Sequence, residues 1–246
     1  MKDSSCAVAL ISDIHANLQA LEAVLADIDR RGLREVWNAG DVVGYGGSPR
    51  EVIRLLRERR VPGVAGNLDR KLFRVAGRGR RGRSLKKLTH HWTWDQLRGK
   101  DRRYLRDLPF SRRFRRRGWT VLLVHGSPDS DEEYLQEGIG VGRLRELARR
   151  ARARLVVAGH SHAPFSARAG GTRFINAASV GRLEGKPGRA GYAILRLSPG
   201  RARVRRVEVP YDAEGAAEAI RRAGLPAEYA RMILTGRKLS RVTGGR

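Results

Sequence analysis

The apolar positions of this chain fall into short runs, and five of those runs end on a residue type that binds metals. Ala7-Val8-Ala9-Leu10-Ile11 leads to Asp13-Ile14-His15, and Val36-Trp37-Asn38-Ala39 leads to Gly40-Asp41. Val61-Pro62-Gly63-Val64-Ala65 leads to Gly66-Asn67, Val121-Leu122-Leu123-Val124 to His125, and Leu155-Val156-Val157-Ala158 to Gly159-His160-Ser161-His162. Runs this short, bounded by glycine and polar residues, predict buried strands. Open α/β sheets place ligands in the crevice outside the carboxyl ends of their strands. Asp13, His15, Asp41, Asn67, His125, His160 and His162 are therefore expected to converge from five strand ends.

Helical periods separate these runs. Leu18, Leu21, Val24, Leu25 and Ile28 mark one face of a helix, with Asn17 as its N-cap and Gly32 as its end. Ser48-Pro49 opens a second helix, with the proline at the favoured first position and Val52, Ile53, Leu55 and Leu56 turned inward. Residues 77–82 read as a flexible loop, residues 84–97 and the surroundings of Tyr104-Leu105 as helical, and Leu144, Leu147 and Ala148 as a helix ahead of the Leu155 strand. This alternation favours βαβ units.

The last third changes character. Arg173–Asn176, Gly191–Leu197 and Ala202–Val209 predict strands in close succession, with a turn at Ser198-Pro199-Gly200-Arg201. A second, more antiparallel sheet packed on the first accounts for their imperfect alternation. Two helices, Ala213–Ala223 and Ala227–Leu234, close the pattern. The expectation is one domain over 1–246, with its core from about 6 to 235 and a loose basic tail at 236–246.

Composition narrows the classes. A hydrophobic fraction of 41% argues against disorder despite 31% charged residues. Cys6 is the single cysteine, which excludes an intramolecular disulfide and suits a reducing compartment. No apolar run approaches the roughly 18 residues of a membrane span, and no signal peptide is visible, so a cytoplasmic location is expected. Net charge is +26, and residues 70–117 hold 19 basic against three acidic side chains. Blocks such as Arg112-Arg113-Phe114-Arg115-Arg116-Arg117 would attract a polyanion. No nucleic-acid fold motif accompanies them, so a solvated arginine-rich surface is the competing explanation.

The ligand types point to a pair of cations. A binuclear centre needs one bridging carboxylate to hold two ions about 3.5–4 Å apart. Asp41, flanked by Gly40 and Gly44, is the candidate. Asp13 and His15, two apart, face one ion only if the chain leaves strand geometry there. Mixed nitrogen and oxygen ligation suits Mn, Fe, Zn, Ni or Co, with Mg the weaker match. Asp69 reads as a residue that orients a neighbour or caps a helix.

Taken in order, Ser12-Asp13-Ile14-His15, Gly40-Asp41, Gly66-Asn67-Leu68-Asp69, Val124-His125-Gly126 and Gly159-His160-Ser161-His162 resemble the five motifs of the calcineurin-like metallophosphoesterases. Asp41–Gly46, His125–Pro128, Asn176–Gly181 and Val209–Asp212 extend the resemblance to a prokaryotic branch of small phosphodiesterases. The resemblance implies a four-layer αββα sandwich. It implies Asp13, His15, Asp41 and His162 on one ion, and Asp41, Asn67, His125 and His160 on the other. It also implies attack on phosphorus by a water or hydroxide held between the ions, with Asn67 helping to position the phosphate.

Leu68 departs from the family pattern. It stands where the family usually has a histidine that protonates the leaving group, so the general acid is unassigned. His90 and His91 are the remaining histidines, and nothing in the sequence places them near the others.

The resulting expectation is a metal-dependent phosphoesterase, foremost a phosphodiesterase, acting on a phosphate ester. One alternative is a binding protein whose catalysis has decayed, as in the retromer subunit of the same fold. The other is a nuclease or RNA-end-processing enzyme that grips its substrate through residues 70–117. Substrate, metal identity and oligomeric state are left open by the sequence.

Overall fold

The computed structural model describes residues 5–75 and 84–244. Cys6–Ile11 (β1) enters the core at once, because Val8 to Ile11 are fully buried. Leu18–Arg30 (α1) follows, its first turn capped by Asn17, whose side chain accepts from the Ala20 amide. Glu35–Asn38 (β2) pairs parallel to β1, with Leu10 opposite Trp37. Pro49–Glu58 (α2), Asn67–Val75 (α3), Leu85–Gln96 (α4) and Gly99–Arg106 (α5) complete a helical stretch.

Ser111–Arg116 (β3), Trp119–Val124 (β4), Val141–Ala151 (α6), Leu155–Ala158 (β5), Phe165–Ala169 (β6) and Thr172–Asn176 (β7) form the middle of the chain. Arg189–Ser198 (β8) and Arg201–Pro210 (β9) make a long hairpin. Ala213–Arg222 (α7), Ala227–Thr235 (α8) and Leu239–Val242 (α9) end it.

Two mixed sheets result, in the orders β2-β1-β8-β9 and β3-β4-β5-β7-β6. Alternation along the buried strands decides which face meets which layer. Val8 and Leu10 point between the sheets toward Val121, Leu123, Leu155 and Val157. Ala9 and Ile11 point the other way, toward Leu21, Val24, Val52 and Ile53 of α1 and α2. On the far face, Leu122, Val156 and Phe174 pack on Leu144 and Leu147 of α6. The layers therefore run helix, sheet, sheet, helix, and the expected αββα sandwich is the observed fold.

The strands divide between the sheets differently from the expected order. β1 and β2 share a sheet with the late hairpin β8–β9, whereas β7 joins β4 and β5. The expected strand over Val61–Ala65 is absent. Pro62 has no amide to donate, and only Gly63 forms a bridge, to Asn38. Asn67 consequently opens α3 instead of ending a strand.

The arginine block 112–116 is the edge strand β3, antiparallel to β4, with Phe114 stacked on Trp37 at 3.8 Å between centroids. Its charges serve the edge by discouraging further pairing. β6 was not expected either. The tail is less loose than expected, because Leu239 and Val242 of α9 pack on the α7–α8 cluster. The flexible loop expected at 77–82 lies outside the described residues. No helix among the described residues is long and apolar enough to cross a membrane.

One buried polar contact ties α1 to the sheet. The Tyr192 hydroxyl donates to Asp27 Oδ2 at 2.7 Å, and Arg31 Nε donates to the same oxygen at 2.7 Å. Burial raises the Asp27 pKa, but the Arg31 and Tyr192 hydrogen bonds outweigh it and hold the carboxyl below its usual range. Tyr192→Phe is expected to cost about 1 kcal/mol in urea unfolding at neutral pH. The folded carboxyl has the depressed pKa, so the gap between protein and variant should shrink as pH falls and Asp27 protonates.

Candidate metal centre

Six of the seven residues singled out from the sequence meet at one end of the two sheets, where β1, β2, β4 and β5 terminate. Asn67 is linked to them through Glu132, which accepts from its amide and meets His160 through its carbonyl. Asp13, His15 and His162 form one group of converging ligand atoms, and Asp41, His125 and His160 form another, each with its atoms within 4.8 Å of one another. Asp13 Oδ1 lies 3.3 Å from His162 Nε2 and 3.8 Å from His15 Nε2. Asp41 Oδ2 lies 3.5 Å from His125 Nε2 and 3.9 Å from His15 Nδ1, so this single oxygen faces both groups.

The chain leaves strand geometry to achieve this. Asp13, His15, Asp41, His160 and His162 all have positive φ, between 52° and 69°. Asp13 and His15 thus turn to the same side, which two residues of a regular strand two apart would do only by pointing straight along one face. Backbone hydrogen bonds hold these turns: Asp13 N to Gly40 O, His15 N to Asp41 O and Gly181 N to Asp13 O. Asp69 has both carboxylate oxygens engaged by the backbone. Its carboxylate accepts from the amides of Val42, Val43 and Gly66, which clamps the Asp41 loop to the Asn67 loop.

The hydrogen-bond roles leave lone pairs aimed inward. His125 Nδ1 meets the Ala39 carbonyl at 2.8 Å and must donate, so Nε2 carries the lone pair, and Nε2 is buried with no partner. His160 Nε2 likewise donates to the Glu132 carbonyl at 3.2 Å, freeing Nδ1. Asn67 Nδ2 donates to Glu132 Oε2, and its Oδ1 is buried without a partner. Such orphaned acceptors are costly unless something positive completes them.

His162 is different. Arg182 Nη2 donates to its Nδ1 at 3.0 Å, which places the ring proton of the neutral form on Nε2. Ligation through Nε2 would require that proton to leave or the arginine contact to break.

The titration pattern fits the same donor set. Burial raises the Asp41 carboxyl well above its usual pKa, with Asp69 and Asp13 adding to the effect. Burial also raises Asp69. Asp13 is held low by His162, although its burial opposes the shift. His15 is pushed well down by burial and by His162, and His160 is pushed down to about 4 by burial and by His125. Burial opposes protonation of His125, but Asp41 and Asp13 outweigh it and raise its pKa. A divalent cation is the partner that would let Asp41 ionise and give neutral imidazoles a use.

Leu68 is 7% exposed and donates its amide to Asp41 Oδ1, so its main chain serves the site while its side chain offers no proton. The described contacts of His90 do not include any of the seven; its Nδ1 meets the Lys86 carbonyl. Trp94 packs edge-on against Phe73 and beneath Arg102, which is a packing role. Part of the basic stretch is paired within the fold: Arg70 with Asp131, Lys71 with Glu132 and Arg116 with Glu35.

Sequence reasoning missed Glu132, which orients the Asn67 amide, and Tyr134, which stacks on His160 at 4.2 Å while 51% exposed. It also missed Tyr45 against His15. Nothing in the local patterns of Glu132 and Tyr134 marks them, whereas Tyr45 lay inside the Asp41–Gly46 motif, and Asn176 and Ser179, which brace Gly159 and Asp13, inside Asn176–Gly181.

The sequence profile of the calcineurin-like phosphoesterase superfamily domain matches residues 7–200. An uncharacterized protein of Methanocaldococcus jannaschii is 29% identical, over 94% of this chain and 98% of its own. The crystal structure of a metallophosphoesterase from Sphaerobacter thermophilus is 30% identical, with a TM-score of 0.75 over 94% of this chain and 99% of that one. A hypothetical protein from Pyrococcus horikoshii OT3 shares the fold at 23% identity, with a TM-score of 0.81 over 95% of this chain and 99% of its own.

A methyl group on Gly66 would overlap Asp41 Oδ1 and the Asp41 amide. Gly66→Ala is therefore expected to abolish any rise in melting temperature on Mn²⁺ addition, measured by calorimetry across a metal titration. Asp69→Ala strands three buried amides, each costing about 1–3 kcal/mol, and should lower unfolding free energy accordingly in the same protein without metal.

Proposed function

The chain belongs to the calcineurin-like phosphoesterase superfamily, and from that premise we propose that it is a binuclear-metal-dependent phosphodiesterase. The observation that carries this reading is the position of Asp41 Oδ2, 3.5 Å from His125 Nε2 and 3.9 Å from His15 Nδ1, between two separate groups of donors. Asp13, His15 and His162 would hold one ion, Asn67, His125 and His160 the other, and Asp41 both. Mn²⁺ is the first metal to test, with Fe, Zn, Ni, Co and Mg as competitors. When bound, two divalent cations supply Lewis acidity, a water of lowered pKa and charge neutralisation at phosphorus.

The chain's own residues do the rest. Glu132 and Lys71 fix Asn67 so that its Oδ1 points into the site, where the amide helps to position the phosphate. His125 and His160 are held in one tautomer by the Ala39 and Glu132 carbonyls, so neither needs to reorganise on binding. Asp69 fixes the distance between the Asp41 and Asn67 loops. Leu68 supplies no proton to a departing alkoxide, so the reading favours esters whose leaving group departs without one. The decayed binding role has Leu68 as its best support, and the presence of all seven candidate donors stands against it.

Turnover of bis(p-nitrophenyl) phosphate with added Mn²⁺ tests the proposal. Asp41→Asn and His160→Ala should each lower kcat/KM by about a hundredfold or more, and either variant keeping full rate overturns the mechanism. Leu68→His should leave aryl diesters nearly unchanged but raise the rate on alkyl diesters, by at most the 10²–10⁴-fold that general-acid catalysis supplies. A rate that falls steeply with salt on single-stranded RNA, with no aryl diester turnover, would favour the nuclease reading instead.

A further inference from the structure

Away from the metal centre, α2, α5, the start of β3 and the segment 61–63 line an open concavity of about 380 Å³. Val61, Pro62, Tyr104 and Leu108 give it an apolar floor, and four cations stand around it: Arg57, Lys100, Arg103 and Arg112. They come from three different elements, so no local charge run accounts for the convergence. Asp107 also lines the cavity, and it lies 4.0 Å from Arg106, which is outside the lining.

None of the four cations has an acidic partner within the described residues. Arg70 and Arg116 of the same stretch, by contrast, pair with Asp131 and Glu35. Four unpaired cations around one concavity repel each other, and the fold tolerates that cost with only Asp107 to offset it. The Tyr104 hydroxyl is enclosed below them without a hydrogen-bond partner. Burial raises its pKa, with Asp69 adding to the shift and the charges of Arg57 and Arg112 opposing it.

We propose that this cavity binds a small phosphorylated molecule carrying at least two negative charges, with phosphate oxygens on the Arg57, Arg103, Arg112 and Lys100 side chains. Its volume lies at the lower end of the range for small-molecule sites, and forked guanidinium donors match phosphate oxygens in pairs. A nucleic-acid backbone is the other source of phosphate, but four cations gathered around one concavity of about 380 Å³ suit a compact anion, whereas a backbone needs an extended track. The site is separate from the metal centre and does not depend on the phosphodiesterase reading, because its test measures binding at named amides and not turnover.

The test is a pyrophosphate titration of the full-length, metal-loaded protein followed by amide NMR. Mg²⁺ can serve as the loaded ion, to avoid paramagnetic broadening. Saturable shifts are expected at Gly63, Lys100 and Tyr104. Arg57→Gln combined with Arg112→Gln should weaken that binding at least tenfold. Arg201→Gln with Arg203→Gln removes the same charge from the exposed side of β9 and should change it less than twofold. Absence of saturable shifts at those amides overturns the proposal. So does equal weakening by the two double variants, which would mark only the protein's overall charge. Shifts at the same amides with a short single-stranded RNA but none with pyrophosphate would also overturn it. Pyrophosphate bound at the metal centre would move His125 and His160 instead and is distinguished by position.

Discussion

Five of the seven candidate side chains sit on backbone that residues with a Cβ ordinarily avoid, and the whole site depends on holding it there. Each such residue costs of order 1–3 kcal/mol and persists only where its surroundings over-determine it. The surroundings here are specific. Asp13 is fixed through its amide by Gly40, through its carbonyl by Gly181 and Ser179, and through Oδ2 by the His160 amide. Asp41 is fixed through its carbonyl by His15 and through Oδ1 by Leu68. Strands from both sheets therefore end in turns that bond to each other before any side chain reaches inward.

Three glycines make the close approaches possible. Gly159 lies against Ser12 and Asp13, Gly66 against Asp41, and Gly40 against Gly66 and the His125 ring. A Cβ at any of them would push one loop off its neighbour. These glycines flank the ligands in sequence, which is the physical reason the motifs read Gly-Asp, Gly-Asn and Gly-His. The side chain supplies the donor atom, and the glycine beside it lets the next loop come near enough.

Much of this was legible beforehand, and the exceptions have physical causes. The candidate ligands stood out because apolar runs such as Val121–Val124 and Leu155–Ala158 are strands buried on both faces, with no alternation to confuse them. The departure of Asp13 and His15 from strand geometry was the condition for both to face one ion, and both have positive φ. Val61–Ala65 misled because it has a buried strand's composition, while Pro62 cannot join a ladder and the Asn38 backbone takes over its pairing. The arginine block at β3 misled because charge dominates its composition, yet Phe114 stacks on Trp37 and Arg116 pairs with Glu35. Glu132 and Tyr134 were invisible because their importance lies in what folds beside them, namely Asn67 and His160.

The pairing of β1 with β8 has a consequence for how the protein is made. Cys6 lies opposite Leu197, and the first sheet has β8 as the only described strand between β1 and β9. An emerging polypeptide therefore carries Asp13 and His15 for most of its synthesis with one flank of their strand unsatisfied and the site half built. Contacts so distant along the sequence slow folding, because loop closure precedes any gain from them. Productive assembly must wait for the late hairpin, and until then the apolar edge of β1 is exposed to whatever shields nascent polypeptides from aggregation.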